Sequence, residues 1–453
     1  MEKKNLIKNV SEYSHTKLTM KHILTFLLLL PLTLSSQVLT LEESISLASK
    51  NNFTVQLADY DVRIAEQKIN ELKANQQPKV STAFDYRYYI NLPYQLLPAG
   101  VFGGPPGAYK EAQFGVPHNI NINGQVTYPL HNPTLKAGIK TAEKGVEITG
   151  LQKTKSAEDV ALDVANVYYN AQLLLNQEIF IDSNISNTTR LLKLTKLLHE
   201  QRVAKGTDVD KVTLQLFQLQ TQKENVRNQY VQAINLLKFL TGKSPEDSIG
   251  VEVNPGLDNT ILPDETIISE IKLAQYQIDF LQTEKKGIEK SRLPVINLTG
   301  LYGTTGFGKT GANDFLKFFP IGYAGVQVIF PIYNGGSVKQ KLRSNGLEIQ
   351  KANTRLEMIR GKNDVDKRNN YYQLVNSKNN LQVINTQIDY AKVIYDKTLL
   401  QQKEGIASLT DVLLADNVVR EAQQNYISNL VTLRRAELEY RKITGNLLKS
   451  STR

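Results

Sequence analysis

The 453-residue chain contains no cysteine and no tryptophan. Without thiols there can be no disulfide, no thiolate metal ligand, no cysteine nucleophile and no lipid anchor on an N-terminal cysteine. Histidine is scarce, with five in all. His15 and His22 fall in or before a leader. His118, His131 and His199 stand singly, without the i, i+4 partner of a metal site. No G-x-S-x-G nucleophile elbow occurs. Acidic residues are scattered over polar helix faces, with nothing to mark a pair for acid–base work. The chain is therefore expected not to be an enzyme and to need no cofactor or metal. Long apolar runs are missing as well: beyond the leader no segment offers the ~18 consecutive apolar residues of a spanning helix.

What is present points outward from the cytosol. Lys17 and Lys21 precede an apolar run from Ile23 to Leu34, followed by Ser35 and Ser36. This is the plan of a secretory leader, cut between Ser36 and Gln37. Met20 stands directly before it, so the true start is either Met1 or Met20. The net charge of +10 comes from Lys and Arg interspersed with Asp and Glu. No basic run with interleaved aromatics appears, so a nucleic-acid partner is not expected.

The chain is written twice. Gln125-Val126-Thr127-Tyr128-Pro129-Leu130-His131-Asn132 returns as Gln327-Val328-Ile329-Phe330-Pro331-Ile332-Tyr333-Asn334. Thr207-Asp208-Val209 returns as Thr410-Asp411-Val412, and Leu240-Thr241-Gly242 as Ile443-Thr444-Gly445. Three landmarks in one order, each shifted by roughly 200 positions, indicate a tandem duplication. The first repeat spans 37–242, with strands at about 79–90 and 119–129 and long helices at about 133–200 and 208–241. A linker covers 243–263. The second repeat spans 264–447, with strands at about 295–303 and 321–330 and long helices at about 336–404 and 408–443.

The long helices carry heptad stripes. Val212, Leu216, Leu219, Val226, Tyr230, Ala233, Leu237 and Leu240 form one, and Ala415, Val419, Ala422, Tyr426, Leu433, Ala436, Tyr440 and Ile443 its counterpart. Such spacing specifies coiled-coil packing. The strands alternate instead. Val80, Thr82, Phe84, Tyr86 and Tyr88 interleave with Ser81, Ala83, Asp85 and Arg87; Ile120, Ile122, Val126 and Tyr128 interleave with Asn121, Asn123, Gln125 and Thr127. Pro78 and Pro294 mark strand starts, Pro129 and Pro331 strand ends. In an exported chain this alternation fits a transmembrane barrel with lipid outside and water inside. Four strands cannot close a barrel, and lipid does not tolerate open edges. Three copies sharing twelve strands satisfy both conditions.

One motif points elsewhere. Gly303-Thr-Thr-Gly-Phe-Gly-Lys-Thr310 fits the phosphate loop G-x-x-x-x-G-K-[ST]. Such a loop needs a helix beginning at its Lys-Thr end. Here Gly311, Asn313, Asp314 and then Pro320 follow. The stretch is read as the start of an exposed, turning loop, like the Gly- and Pro-rich segment Gly100–Gly107 in the first repeat.

In this order the motifs resemble the TolC family of outer-membrane efflux channels, from Leu39 to Leu448. The carriers are Leu41-Glu42-Glu43-Ser44-Ile45 with Asn51-Asn52, the strand-exit motifs Tyr128-Pro129-Leu130 and Phe330-Pro331-Ile332-Tyr333-Asn334-Gly335-Gly336, and Gly405–Leu413. The resemblance implies an internally duplicated α plus transmembrane β fold, with four barrel strands and long coiled-coil periplasmic helices per protomer. It implies a homotrimer with a 12-stranded barrel in outer-membrane lipid above an α-helical tunnel. It also implies a periplasmic adaptor and an inner-membrane pump as partners, in a tripartite efflux or type I secretion system for drugs, small molecules or proteins. The implied aperture residues are Asp208 and Asp411 at the periplasmic tip, with Gly206, Gly405 and Ser408 in the helix turns. Leu414 and Ala407 replace an aspartate and an arginine of the better-known pattern, so ion selectivity is not fixed by the resemblance. Ser408-x-x-Asp411 also reads as a capping box, and Asp208 as a first-turn acid favoured by the helix dipole. The alternative function is a periplasmic coiled-coil adaptor or scaffold, which would share the leader and helices but has no need of paired alternating strands.

Overall fold

A computed structural model describes residues 37–253, 267–312 and 316–447, except the side chains of residues 101 and 102. The leader, the choice of start, the last part of the linker with the first residues of the second repeat, and Asn313 and Asp314 lie outside the described residues. The first repeat runs β1 (Gln37–Leu39), α1 (Leu41–Asn51), α2 (Phe53–Ala74), β2 (Lys79–Tyr88), β3 (Tyr94–Pro98), β4 (Tyr109–Gln113), β5 (His118–His131), α3 (Pro133–Glu200) and α4 (Gly206–Thr241). After β6 (Ile249–Val251), the second repeat runs α5 (Ser269–Lys290), β7 (Val295–Gly308), β8 (Lys317–Ile329), α6 (Ser337–Lys403) and α7 (Leu409–Ile443).

The helical arms follow from their apolar spacing and their caps. Asn132 caps α3, its Oδ1 accepting from the Leu135 amide at 2.9 Å, and Pro133 supplies a pre-set first turn. With 68 residues and no internal proline, α3 reaches ~100 Å at 1.5 Å per residue. Its apolar residues meet α1, α4 and the small sheet of β1 and β6. Tyr168 lies at the centre of this packing, 1 % exposed, and its hydroxyl donates to the Leu39 carbonyl at 2.9 Å. Burial pushes the Tyr168 phenol up to about 12. The hydrogen bond fixes β1, which pairs in parallel with β6 from Gln37 opposite Ile249 to Leu39 opposite Val251. Two further apolar clusters, around Val412 and around Leu433, join arms of the two repeats.

The four-stranded sheet has the order β2-β5-β7-β8, antiparallel throughout. Its central pair, β5 with β7, comes from different repeats. The register sorts side chains by face. Val80, Val126, Gly300 and Ala324 form one row across the sheet, and Phe84, Ile122, Thr304 and Pro320 another on the same face. The opposite face carries the rows Asp85, Asn121, Thr305, Phe319 and Ser81, Gln125, Leu301, Tyr323. One face is thus almost wholly apolar. The other is polar on β2 and β5.

Two local expectations are corrected, and a hairpin and a strand proline are added to them. The phosphate-loop-like stretch is not the start of a loop: β7 continues to Gly308, so only Lys309 and Thr310 lie beyond the strand. Gly303 and Gly306 serve close packing. An added Cβ at Gly303 would run into the Ile122 carbonyl oxygen and stand 2.7 Å from the Asn123 Cα, while the Phe318 ring covers Gly306. Aromatic cover of this kind lets a glycine remain inside a strand. Pro129 does not end its strand either. β5 runs on to His131 through a register shift between Pro129 and His131, beyond the last pairing with β2 at Thr127, where one side of the strand is open. Finally, the Gly- and Pro-rich segment is flanked by a hairpin, with Tyr94 opposite Gln113 and Pro98 opposite Tyr109. Pro320 likewise sits inside β8, which is an edge strand of this sheet.

Candidate functional site

At the end of the arms remote from the sheet, α3 turns into α4 and α6 into α7 through two turns of the same design. In the second, Gly405 has φ of 74°, and the amides of Ile406 and Ala407 both donate to the Gln401 carbonyl, at 2.8 and 3.2 Å. In the first, Val203 and Ala204 both donate to the Leu198 carbonyl, at 2.8 and 3.1 Å. The residue equivalent to Gly405 is Arg202, whose φ of 62° makes it the one non-glycine residue with positive φ among those described. The left-handed conformation crowds Cβ against the following carbonyl, at a cost of roughly 1–2 kcal/mol. Gly206, expected to serve the first turn, instead opens α4 as its first residue. The left-handed position falls four residues earlier because the closing hydrogen bonds converge on Leu198.

The two aspartates sit in matching positions at the third residue of their helices. Asp411 completes a reciprocal cap: it accepts from the Ser408 amide at 2.9 Å, and its own amide donates to Ser408 Oγ at 3.2 Å. The Ser408 hydroxyl also donates to Asp411 Oδ2 at 2.7 Å. These bonds, from the side chain first and the backbone second, hold the Asp411 carboxyl below the usual carboxylate range. Asp208 accepts from the Lys205 amide at 3.3 Å and pairs with Lys211 at 3.6 Å. Lysine has no acceptor, so this cap is one-sided. Among the described residues no hydrogen bond or ion pair joins Asp208 to Asp411. Asp411 lines a shallow groove of about 650 Å³ with Ile406, Ala407, Leu414 and Ala415.

Deeper in the arms, polar side chains join the two repeats. Gln215 of α4 donates to Asp416 of α7 at 2.5 Å, and Arg420 pairs with the same carboxylate at 3.1 Å. Asp416 is 3 % exposed. Burial raises its pKa, against the opposing pull of Arg420 and the Gln215 bond. On α6, burial and then the charge of this carboxylate push the Tyr395 phenol up to about 12, against the pull of Arg190 of α3. One level further, Asn184 of α3 donates to Gln423 of α7 at 2.9 Å, with both side chains buried. A buried bond of this kind fixes how two helices register, because losing one partner strands the other without water.

Arg202, Asp416, Gln215, Asn184 and Gln423 are not marked by the sequence motifs. A faint signal exists for Asp416. It stands beside the stripe residue Ala415, where the duplicated frame places Thr213 in the other repeat.

Comparison with known proteins gives the arrangement a context. The description of the family "Outer membrane efflux protein" matches residues 44–243 and 270–446. No curated protein sequence matches. Among solved structures the fold is similar to the outer membrane protein VceC from Vibrio cholerae, at 13 % identity over 89 % of this chain and 96 % of that one, with a TM-score of 0.67. It is also similar to the CmeC outer membrane channel of Campylobacter jejuni, at 14 % identity over 91 % and 87 % of the two chains and a TM-score of 0.68. The open state of the MtrE outer membrane channel of Neisseria gonorrhoeae is 16 % identical over 91 % and 90 %, with a TM-score of 0.66. At these identities the structural likeness speaks for the fold; the family match covers both repeats and the arms that carry the tip turns. The chain belongs to the outer membrane efflux protein family, a family of channels rather than of enzymes.

Proposed function

We propose that three copies of this chain close a twelve-stranded barrel in the outer membrane, continued by a helical tunnel in the periplasm. The observation that carries this is the sheet. It has one apolar face, one face with Asp85, Arg87 and a row of Asn and Gln, and two unpaired edges, β2 and β8. In lipid an open edge strands several backbone groups, each at a cost of several kcal/mol. Pairing β8 of one copy with β2 of the next removes every edge. No described helix is long and apolar enough to cross a membrane.

The assembled duct is the outer component of a tripartite efflux or type I secretion system, receiving cargo through a periplasmic adaptor from an inner-membrane pump. Its aperture lies at the helical tips. Asp411 of each copy caps α7 and, being exposed, also faces ions in the opening; Asp208 caps α4. The two roles are compatible, since a carboxylate that accepts from Ser408 keeps a second oxygen.

Detergent extracts of outer membranes test the assembly. The expected result is a trimer that runs as one band unheated, dissociates on boiling, and conducts in planar bilayers. A soluble periplasmic monomer would favour the adaptor reading instead.

A further inference from the structure

The polar face of the sheet is not polar throughout. β2 and β5 present Asp85, Asn121 and Asn123 there, but β8 presents Phe319, Ile321 and Tyr323 in succession. Leu301 stands directly opposite Tyr323, and Gly303 leaves Ile321 uncovered from the β7 side. The Phe307 ring lies 6.1 Å from that of Phe319. The three β8 side chains are 51, 50 and 56 % exposed. They form a stripe ~13 Å long at 3.3 Å per residue.

Lipid does not account for the stripe. The same face carries the Arg87–Asp85 pair at 2.8 Å, so in the barrel it turns to water. Its symmetry mates do not cover it either. Twelve strands spaced 4.8 Å apart and tilted by ~40° give a radius of about 12 Å. A tyrosine reaching roughly 6 Å inward then ends about 10 Å from its two mates. The neighbouring strands pair edge to edge with β8 rather than over it. Whatever covers the stripe must enter the pore.

We propose that Phe319, Ile321 and Tyr323 form a binding track for small amphipathic molecules with a flat apolar face, which pass along it on their way out. This inference rests on the trimeric barrel and names a class of cargo for it. The apolar face of the molecule lies on the stripe. Its polar groups meet the adjoining Asn121 and Thr305, themselves hydrogen-bonded at 2.9 Å. The chemistry is that of a solute too polar for lipid and too apolar for an all-polar pore.

Two cations of equal charge separate this from simple ion passage. Proflavine, a flat monocation with two amino groups, and tetraethylammonium are added to reconstituted trimers from the side bearing the β3–β4 hairpin, and single-channel interruptions are timed. Covering about 60 Å² more apolar surface predicts a residence about tenfold longer for the aryl cation. Ile321→Ser with Tyr323→Ser brings the two within about twofold, whereas Asn123→Ser leaves the difference intact. Equal residence in the unaltered protein overturns the proposal without any variant, as does a difference that survives both serines. A preference that emerges only when residues 94–113 are deleted also overturns it, assigning the stripe to that hairpin folded inward. Trimers without conductance overturn the barrel itself, a distinct failure from a conducting pore that treats the two cations alike.

Discussion

Replacing Arg202 by glycine relieves a left-handed residue in one tip turn, and replacing Gly405 by arginine imposes one in the other. The two turns share their hydrogen-bond pattern, so each serves as the control for its twin. At Gly405 nothing lies within 4 Å of an added Cβ, so the cost of the arginine is carried by the backbone alone. A left-handed L-residue costs roughly 1–2 kcal/mol, and the greater freedom of glycine in the open chain takes back about 0.5–1. Arg202→Gly is therefore expected to tighten its turn by about 0.5–1 kcal/mol, and Gly405→Arg to loosen its own by a similar amount. Hydrogen exchange reads this locally. The amides of Val203 and Ala204 should exchange about two- to fivefold more slowly in the glycine variant, after correction for intrinsic rates. Those of Ile406 and Ala407 should exchange faster by a like factor in the arginine variant. If Gly405→Arg leaves its turn unchanged, or Arg202→Gly speeds exchange, backbone strain is not what distinguishes the turns.

Asp416→Asn should flatten a pH dependence. The fold raises the Asp416 pKa above 3.8, so its contribution is complete below that value and lost as pH rises through the raised one. Thermal melting of the purified protein between pH 4 and 7 should show the unaltered chain losing stability over that window relative to the variant; parallel curves would refute it. Asp411→Ala should raise single-channel conductance or weaken block by divalent cations, and unchanged traces would leave the residue as a cap only. Gly303→Ala forces β5 away from β7 and should cost about 2–3 kcal/mol, seen as loss of the unheated trimer band. Trimers as robust as the unaltered protein would mean that the strands slide apart freely.

Much of the architecture is legible in the sequence because each element repeats a period. Heptads such as Val212, Leu219 and Val226 are buried in α4 because the 3.5-residue spacing keeps them on one line. The apolar row of Val80, Val126 and Ala324 follows from simple alternation. The phosphate-loop-like stretch reads as a turn in the sequence because glycine density signals one wherever a single chain segment stands alone. Its packing reason lies in Ile122 and Phe318, and neither is local to it. Arg202 is illegible for a related cause: a left-handed position normally announces itself by glycine, and here the nearby glycine, Gly206, opens α4 instead. Asp416 and Gln423 look like ordinary surface polar residues until α3 and α4 from the other repeat close over them.

The pairing of β5 with β7 also sets a constraint on how the chain can be made. β7 and β8 are near neighbours, Thr304 donating across 15 positions, and β2 lies 41 positions from β5 where Thr82 meets Asn123. The bond from Thr305 to Asn121 spans 184. A two-stranded hairpin is marginal alone, so neither repeat completes its sheet before the other has been synthesised. Contacts of such separation form late and slowly. The apolar face of the β2–β5 pair is therefore exposed until β7 and β8 have been made, when aggregation is the competing outcome. A factor that shields these strands until the second repeat emerges would raise the yield of folded protein without touching its final stability.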